Sequence, residues 1–151
     1  MEVRPEAPED REAVARVVEA AFGRRDEADL VEALRADPAW ELSLVVEDAG
    51  EVVGHVLFTR ASHGFLALAP LAVLPERQGQ GVGRALMEEG LRRVGDDPVL
   101  VLGDPSYYGR FGFEAAAPRG ITNPWRIDGP EWMVRGEAEP AEVHYPAPFA
   151  T

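Results

Sequence analysis

The hydrophobic positions near the start of the chain recur with the period of a helix. They are Val14, Val17, Val18, Ala21 and Phe22. This spacing predicts a helix with one apolar stripe packed against a sheet. The acidic residues Glu9 and Asp10 precede it, where they favour the positive end of the helix dipole. A second amphipathic helix is predicted from about Glu27 to Asp37, ending before Pro38.

Beyond Pro38 the pattern changes to short apolar runs separated by turn residues. Strands are predicted at Leu42 to Glu47, Val52 to about Ser62, Phe65 to Leu74 and Val99 to Leu102, with a short edge strand around Val3. The first two form a hairpin across the turn at Asp48-Ala49-Gly50. The Phe65 to Leu74 strand is apolar on both faces, which predicts a central, buried strand. Pro70 removes a ladder donor from it, so a bulge or bend is expected there.

The rest of the chain predicts two more helices and weaker strands. One helix follows a glycine-rich segment and runs to about Val94, and a brief one runs from Asp104 through Tyr108. Further strands are predicted at Glu114 to Ala117 and Trp132 to Arg135. This order of elements predicts an α+β (mixed α/β) fold. With 151 residues and no repeat or linker, we expect a single domain spanning residues 1–151.

Composition narrows the chemistry. The chain has no cysteine, which excludes disulfides, thiolate metal sites and cysteine nucleophiles. Its three histidines do not fall at metal-ligand spacing, so no metal is expected. The formal net charge of −12 disfavours nucleic acid as a partner. No apolar run approaches the ~18 residues of a membrane helix, and no signal peptide is visible, so a cytoplasmic protein without a membrane partner is expected.

The segment Gln78-Gly79-Gln80-Gly81-Val82-Gly83-Arg84 carries the strongest functional signal. It joins a buried strand to a helix and contains three alternating glycines. Glycine lets the backbone approach a ligand and adopt positive φ, while unpaired N–H groups point outward at a helix start. Such groups, together with the helix dipole, suit a diphosphate.

Two familiar phosphate loops do not fit this segment. The nucleotide-hydrolase loop needs a lysine, and the chain has none. The dinucleotide fingerprint G-x-G-x-x-G would require glycine at Arg84 or Leu86, so it fails by register. What remains is Q-x-x-G-x-G, formed by Gln78, Gly81 and Gly83.

That signature resembles the GNAT superfamily of N-acetyltransferases. A second block, Leu102-Gly103-Asp104-Pro105-Ser106-Tyr107-Tyr108-Gly109-Arg110-Phe111-Gly112-Phe113, is similar to the family's strand, short helix and Y-x-x-x-G-F element, in the form of its YhbS-like branch. The resemblance implies a GNAT-like fold, with a mixed, mostly antiparallel central sheet flanked by helices. It also implies acetyl-CoA as co-substrate and an amine as acceptor.

The resemblance also implies residue roles. In the family the central strand splays from its neighbour and pairs with the pantetheine arm, a role that falls here to Leu71, Ala72 and Val73. The diphosphate would be held by the backbone of Gln78, Gly79, Gln80, Gly81, Val82, Gly83 and Arg84. Direct attack of the amine on the thioester follows, and Tyr108 would protonate the leaving sulfur. Tyr107 is expected in the core rather than in the site.

Several points stay open at the level of sequence. The family often places an acidic base on the central strand, and this strand has none; the alternatives are Glu47, His55, His63 and Asp104, of which Asp104 also fits a helix cap. A catalytically silent acyl-CoA-binding or sensing module is the rival function. Transfer to a hydroxyl or of a longer acyl chain is a second rival. The acceptor is a small-molecule or peptide amine, and a homodimer would fit the family.

Overall fold

The computed structural model describes residues 1–150, which form nine strands and four α-helices. The strands are β1 (Glu2–Pro5), β2 (Trp40–Asp48), β3 (Glu51–Arg60), β4 (Leu66–Val73), β5 (Val99–Leu102), β6 (Glu114–Ala115), β7 (Ile121–Thr122), β8 (Trp132–Arg135) and β9 (Ala141–Glu142). The helices are α1 (Arg11–Phe22), α2 (Asp26–Arg35), α3 (Val82–Val94) and α4 (Pro105–Tyr108). Seven strands form one sheet in the order β1-β2-β3-β4-β5-β8-β6, and β7 pairs with β9.

The main sheet is mixed and mostly antiparallel, as predicted. β4 lies in the middle of the seven strands, and its pairing with β5 is parallel, while the other neighbours are antiparallel. β1 lies at one edge, which confirms the edge strand predicted around Val3. The predicted bounds of β5 and β8 agree with the structure. The α+β fold is therefore confirmed.

Helices cover both faces of the sheet. On one face α1 and α2 bury Val17, Val31 and Leu34 against Val45 and Leu57 of the sheet. On the other face α3 packs its apolar side against a second buried cluster. That cluster consists of Leu44, Val46, Val53, Val56, Phe58, Leu66, Leu68, Val82, Leu86, Met87, Leu91, Val99, Val101, Phe113 and Met133. Burial on both faces explains why β3 and β4 are nearly continuous apolar runs.

The central strand is irregular at the position predicted from Pro70. Along β3 and β4 the pairing passes from Val56↔Leu71 to Phe58↔Leu68, so β4 contains one extra residue there. Its pairing with β5 covers only Leu66 and Ala67. From residue 68 onward β4 has no strand partner on that side within residues 1–150. The two strands therefore diverge, and a gap opens beside the second half of β4.

The structure differs from the pattern at three points. Phe22 is expected on the buried stripe of α1, but it is 41% exposed at the last position of that helix. The structure ends α2 at Arg35, whereas the pattern extends it to Asp37. The two-residue strands β7 and β9 were not predicted, since such short segments carry no periodicity. Within residues 1–150 no helix has both the length and the apolar character to cross a membrane.

Candidate active site

The loop between β4 and α3 presents a row of unpaired N–H groups. A short 3-10 turn at Pro75–Arg77 leads into it, and Gly79 and Gly81 adopt positive φ of 76° and 87°. Within residues 1–150 no carbonyl or side chain accepts a hydrogen bond from the N–H groups of residues 79 to 84. The first paired N–H beyond them belongs to Ala85, which donates to Gly81 O at 3.0 Å. Unpaired N–H groups at the start of a long helix form an anion-binding cradle.

The two glutamines of the loop also form hydrogen bonds of their own. The N–H of Gln78 donates to Pro75 O at 3.3 Å, so it closes the turn and does not join the row of free donors. The amide of the Gln78 side chain donates to Val73 O at 3.3 Å. The side chain of Gln80 accepts from Arg77 and donates to Glu76 O. Both glutamines therefore hold the shape of the loop through their side chains.

The glycines of the loop do different things. A Cβ on Gly81 would meet nothing within 4 Å, so the space above it is open, yet its left-handed φ strains any other residue. A Cβ on Gly83 would lie 2.7 Å from the hydroxyl oxygen of Tyr107. Gly81 thus shapes the cradle, whereas Gly83 makes room for a tyrosine from α4.

The second half of β4 lines the gap. Leu74 N–H donates to Val53 O at 3.0 Å, toward β3. Because backbone groups alternate in direction along a strand, those of Ala72 also face β3, and those of Leu71 and Val73 face the gap. The side chain of Ala72 is buried under α1 and α2. Of the three residues predicted to pair with the pantetheine arm, the geometry turns Leu71 and Val73 toward the gap.

Loop, strand and α4 enclose a cleft of about 890 Å³. It is lined by Ala21, Phe22, Leu71, Val73, Arg77, Gln78, Gly79, Gly81, Val82, Gly83, Arg84, Glu88, Tyr107, Arg110 and Phe111. Most of the predicted binding residues therefore come together, but Ala72, Gln80 and Tyr108 do not line this cleft. Phe22, Glu88, Tyr107, Arg110 and Phe111 were not singled out from the sequence as site residues. For the last three, the available signal was their position inside the second block, Leu102 to Phe113.

The paired tyrosines of α4 occupy different positions. Tyr107, expected in the core, instead lines the cleft, because its ring extends from α4 toward Gly83 of α3. Its ring meets the ring of Tyr108 edge-on, with centroids 5.0 Å apart. Tyr108 packs behind it against Phe113, at 5.8 Å between centroids, and against Gly103. Burial, with a smaller contribution from Tyr107, raises the pKa of Tyr108 to about 12. Tyr108 is half-buried, and its raised pKa keeps it a protonated phenol near neutral pH.

The four candidate bases lie outside the cleft. Glu47 binds Arg4, with Nη2 and Oε1 2.7 Å apart. His55 is 0% exposed, and burial lowers its pKa to about 3. His63 belongs to the turn before β4. Asp104 caps α4: its Oδ1 accepts from the N–H and hydroxyl of Ser106 at 2.9 and 2.8 Å, and these bonds lower its pKa. Capping is thus the role that the geometry supports for Asp104.

Known proteins share both the sequence and the arrangement. The family model described as the acetyltransferase (GNAT) domain matches residues 39–115, which include the loop and both tyrosines. The N-acetyltransferase YjhQ of Escherichia coli is 44% identical over 133 residues, covering 76% of this chain and 72% of the relative. YhbS, an N-acetyltransferase of the same organism, is 38% identical over 134 residues, covering 83% of this chain and 80% of the relative.

Solved structures repeat the fold. YhbS of E. coli in complex with CoA superposes with a TM-score of 0.92 at 32% identity, covering 99% of this chain and 92% of that one. A GNAT family acetyltransferase of Brucella melitensis in complex with acetyl-CoA has a TM-score of 0.83 at 35% identity, covering 98% and 97%. The resemblance first drawn from the glycine loop and the tyrosine block is therefore confirmed: the chain belongs to the GNAT family of acetyltransferases.

Proposed function

We propose that this protein transfers an acetyl group from acetyl-CoA to a primary amine by direct attack. The row of unpaired N–H groups at residues 79 to 84, beside the unpaired half of β4, is the observation that carries the proposal. The row suits a diphosphate, and the gap at Leu71 and Val73 gives the pantetheine arm an edge to extend along. YhbS and the Brucella protein, which share the fold, were solved with CoA and acetyl-CoA.

The chemical step needs the chain for positioning and for one proton. The neutral amine adds to the thioester carbonyl carbon, and the C–S bond of the resulting tetrahedral intermediate breaks. The nitrogen releases one proton to solvent as the amide forms, and the sulfur leaves as a thiolate that takes up one proton. We assign that second proton to the hydroxyl of Tyr108. A proton from solvent then restores the donor. Its raised pKa, about 12, keeps the proton in place until the sulfur develops charge. A thiol has a pKa of ~8.5, so donation depends on the thiolate forming close to the phenol.

Adjacent tyrosines give a matched test of this assignment. Tyr108→Phe should lower kcat by about 10²–10⁴ with little change in affinity for acetyl-CoA, the usual contribution of a positioned acid. Tyr107→Phe, the control, removes the same atom one residue earlier; because Tyr107 lines the cleft, we expect a change mainly in KM for acetyl-CoA. Steady-state release of CoA measures both. If kcat fell in Tyr107→Phe but stayed at the wild-type value in Tyr108→Phe, Tyr108 would not be the proton donor.

A panel of primary amines tests the reaction itself. The purified chain is incubated with acetyl-CoA and each amine, and thiol release is followed together with the mass of the product. Acetylated amine is the expected result. Binding of CoA by calorimetry without turnover of any amine would instead favour the silent acyl-CoA-binding module. Absence of CoA binding would remove both functions.

A further inference from the structure

The cleft is lined by three arginines, and they differ in whether their charge is already paired. Arg77 forms an ion pair with Asp48, and its Nε donates to Gln80. Arg84 forms an ion pair with Glu88 at 2.5 Å. Within residues 1–150 no carboxylate lies in ion-pair contact with Arg110, although its charge contributes to lowering the pKa of Asp104. Its Nε lies 3.5 Å from the Tyr107 carbonyl oxygen, a long hydrogen bond that leaves the charge unpaired. Arg110 is therefore the cation of the cleft that is free to meet an anion.

Arg110 is also held in place. Its guanidinium carbon lies 4.8 Å from the centre of the Tyr107 ring, within the range of a cation–π contact. The hydroxyl at the far end of the same ring reaches the first turn of α3, at 2.7 Å from the Cβ position of Gly83. The ring of Tyr107 therefore lies between the guanidinium of Arg110 and the first turn of α3. A cation fixed before binding loses less side-chain freedom on binding.

A diphosphate bound at the loop already has its donors, because the N–H groups of residues 79 to 84 are free. Coenzyme A carries a further phosphate on the ribose 3′ oxygen, separated from the diphosphate by the sugar. The net charge of −12 disfavours a polyanion at long range, so a local unpaired cation is what would retain that group. On the basis of the proposed function, we infer that Arg110 binds the 3′-phosphate and makes the protein select CoA over 3′-dephospho-CoA.

Calorimetry with both cofactors tests this inference on the full chain. The wild type should bind CoA about tenfold more tightly than 3′-dephospho-CoA, the range of one charge-assisted hydrogen bond. Arg110→Gln should bind CoA about tenfold more weakly than the wild type and should bind 3′-dephospho-CoA with unchanged affinity. Arg92→Gln is the control: it removes the same charge from α3 outside the cleft, where Arg92 pairs with Glu89, and should behave as wild type. Arg110→Lys, which keeps the charge, should retain part of the selectivity.

The outcomes separate the inference from the function on which it rests. Equal affinity of the wild type for both cofactors would overturn the 3′-phosphate contact and leave acetyl transfer intact. An equal loss of both affinities in Arg110→Gln would also overturn it, since the guanidinium would then serve the diphosphate or the packing of Tyr107. Failure of the wild type to bind either cofactor would overturn the proposed function and this inference together.

Discussion

Two regions of this protein that contain unpaired polar groups differ in how accessible those groups are. The N–H groups of residues 79 to 84 are unpaired, and five of these six residues line a cleft of about 890 Å³. On β3, the Nδ1 atom of His55 and the hydroxyl of Thr59 also lack a partner, but both residues are 0% exposed. Gly54 faces α3, so by strand alternation His55 faces α1 and α2. One set of groups can meet a ligand and the other cannot.

The buried groups around His55 and Thr59, here called the sealed region, have defined donor and acceptor roles. Ser43 Oγ donates to Glu6 Oε1 at 2.5 Å, and its single proton is then used. His55 Nε2, 2.9 Å from Ser43 Oγ, must therefore be the donor in that contact. The remaining nitrogen, Nδ1, carries a lone pair without a hydrogen-bond partner. Such a nitrogen could act as a base, but the His55 side chain is 0% exposed and does not line the cleft. An unpaired buried group costs stability here, whereas an unpaired exposed group in the loop is available for binding.

The largest expected effect tests the accessible N–H groups of residues 79 to 84, here called the open region. Gly81→Val should weaken CoA binding at least about 100-fold, or about 2.7 kcal/mol, because a branched residue cannot hold the left-handed φ of 87° that aims the loop's N–H groups. Calorimetry measures the affinity and circular dichroism the fold. Gly64→Val is the matched control, with φ of +80°, no atom within 4 Å of its Cβ position, and a place at the opposite end of β4.

Both glycine variants should lose similar stability, about 1–2 kcal/mol, from the left-handed backbone. Only Gly81→Val should lose the cofactor. Equal affinity of the two variants for CoA would mean that the loop conformation does not create the binding site. The accessible N–H groups would then have no demonstrated role in binding.

The next effect tests the sealed region through pH. Burial keeps His55 neutral in the fold, with a pKa of about 3 against 6.5 for the free side chain. As pH falls below about 6.5 the unfolded chain takes up a proton that the folded chain does not. Stability therefore falls with acid until about pH 3. Between pH 7 and 5 this group alone removes about 2 kcal/mol from the free energy of unfolding.

Replacing this histidine by glutamine isolates its contribution. His55→Gln keeps a donor near Ser43 and does not titrate, so its loss of stability between pH 7 and 5 should be smaller than that of the wild type by about 2 kcal/mol, measured by urea unfolding at both values. We expect kcat and KM within about threefold of wild type, since a sealed group touches no substrate. A 100-fold fall in kcat would show that His55 contributes to catalysis despite its burial, which would contradict the contrast drawn between the two regions.

The fold was predictable from the sequence where the pattern is strong. β4 is apolar along its length and lies in the middle of the sheet, and the irregularity predicted at Pro70 is present. The two-residue strands β7 and β9 were not predictable, because pairing with distant residues defines them. The exposure of Phe22 is another tertiary effect, since it depends on where the loop and α4 place the cleft.

The site was predictable in its backbone and less so in its side chains. Three alternating glycines between a strand and a helix indicated the N–H cradle. The Y-x-x-x-G-F element assigns the proton-donor role to Tyr108, but it does not indicate which of the two rings lines the cleft, because that depends on how the four-residue helix α4 packs. The pairing of Arg84 with Glu88 is an i,i+4 contact that the helix spacing offers, whereas the pairing of Arg77 with the distant Asp48 depends on the tertiary fold. Charges near a loop can be counted from a sequence, but ion pairs between distant residues cannot.

The smallest of these effects separates two explanations for Gly83. A methyl group there would either occupy ligand space or displace the hydroxyl of Tyr107, which lies 2.7 Å from the Cβ position. With that oxygen removed, the nearest ring carbon lies 3.9 Å away, an ordinary contact. We expect Gly83→Ala to raise KM for acetyl-CoA about tenfold, or about 1.4 kcal/mol, without loss of helix stability, since alanine is the better helix former.

The double variant decides between the explanations. If displacement of Tyr107 is the cause, Gly83→Ala combined with Tyr107→Phe should return KM to within about threefold of Tyr107→Phe alone, a strong coupling in a double-mutant cycle. If the methyl group blocks the ligand itself, the two changes should add and the double variant should bind worst. Recovery would show that the open region depends on a residue that makes room for a neighbour, and that Gly81 and Gly83 serve the same cleft for separate physical reasons.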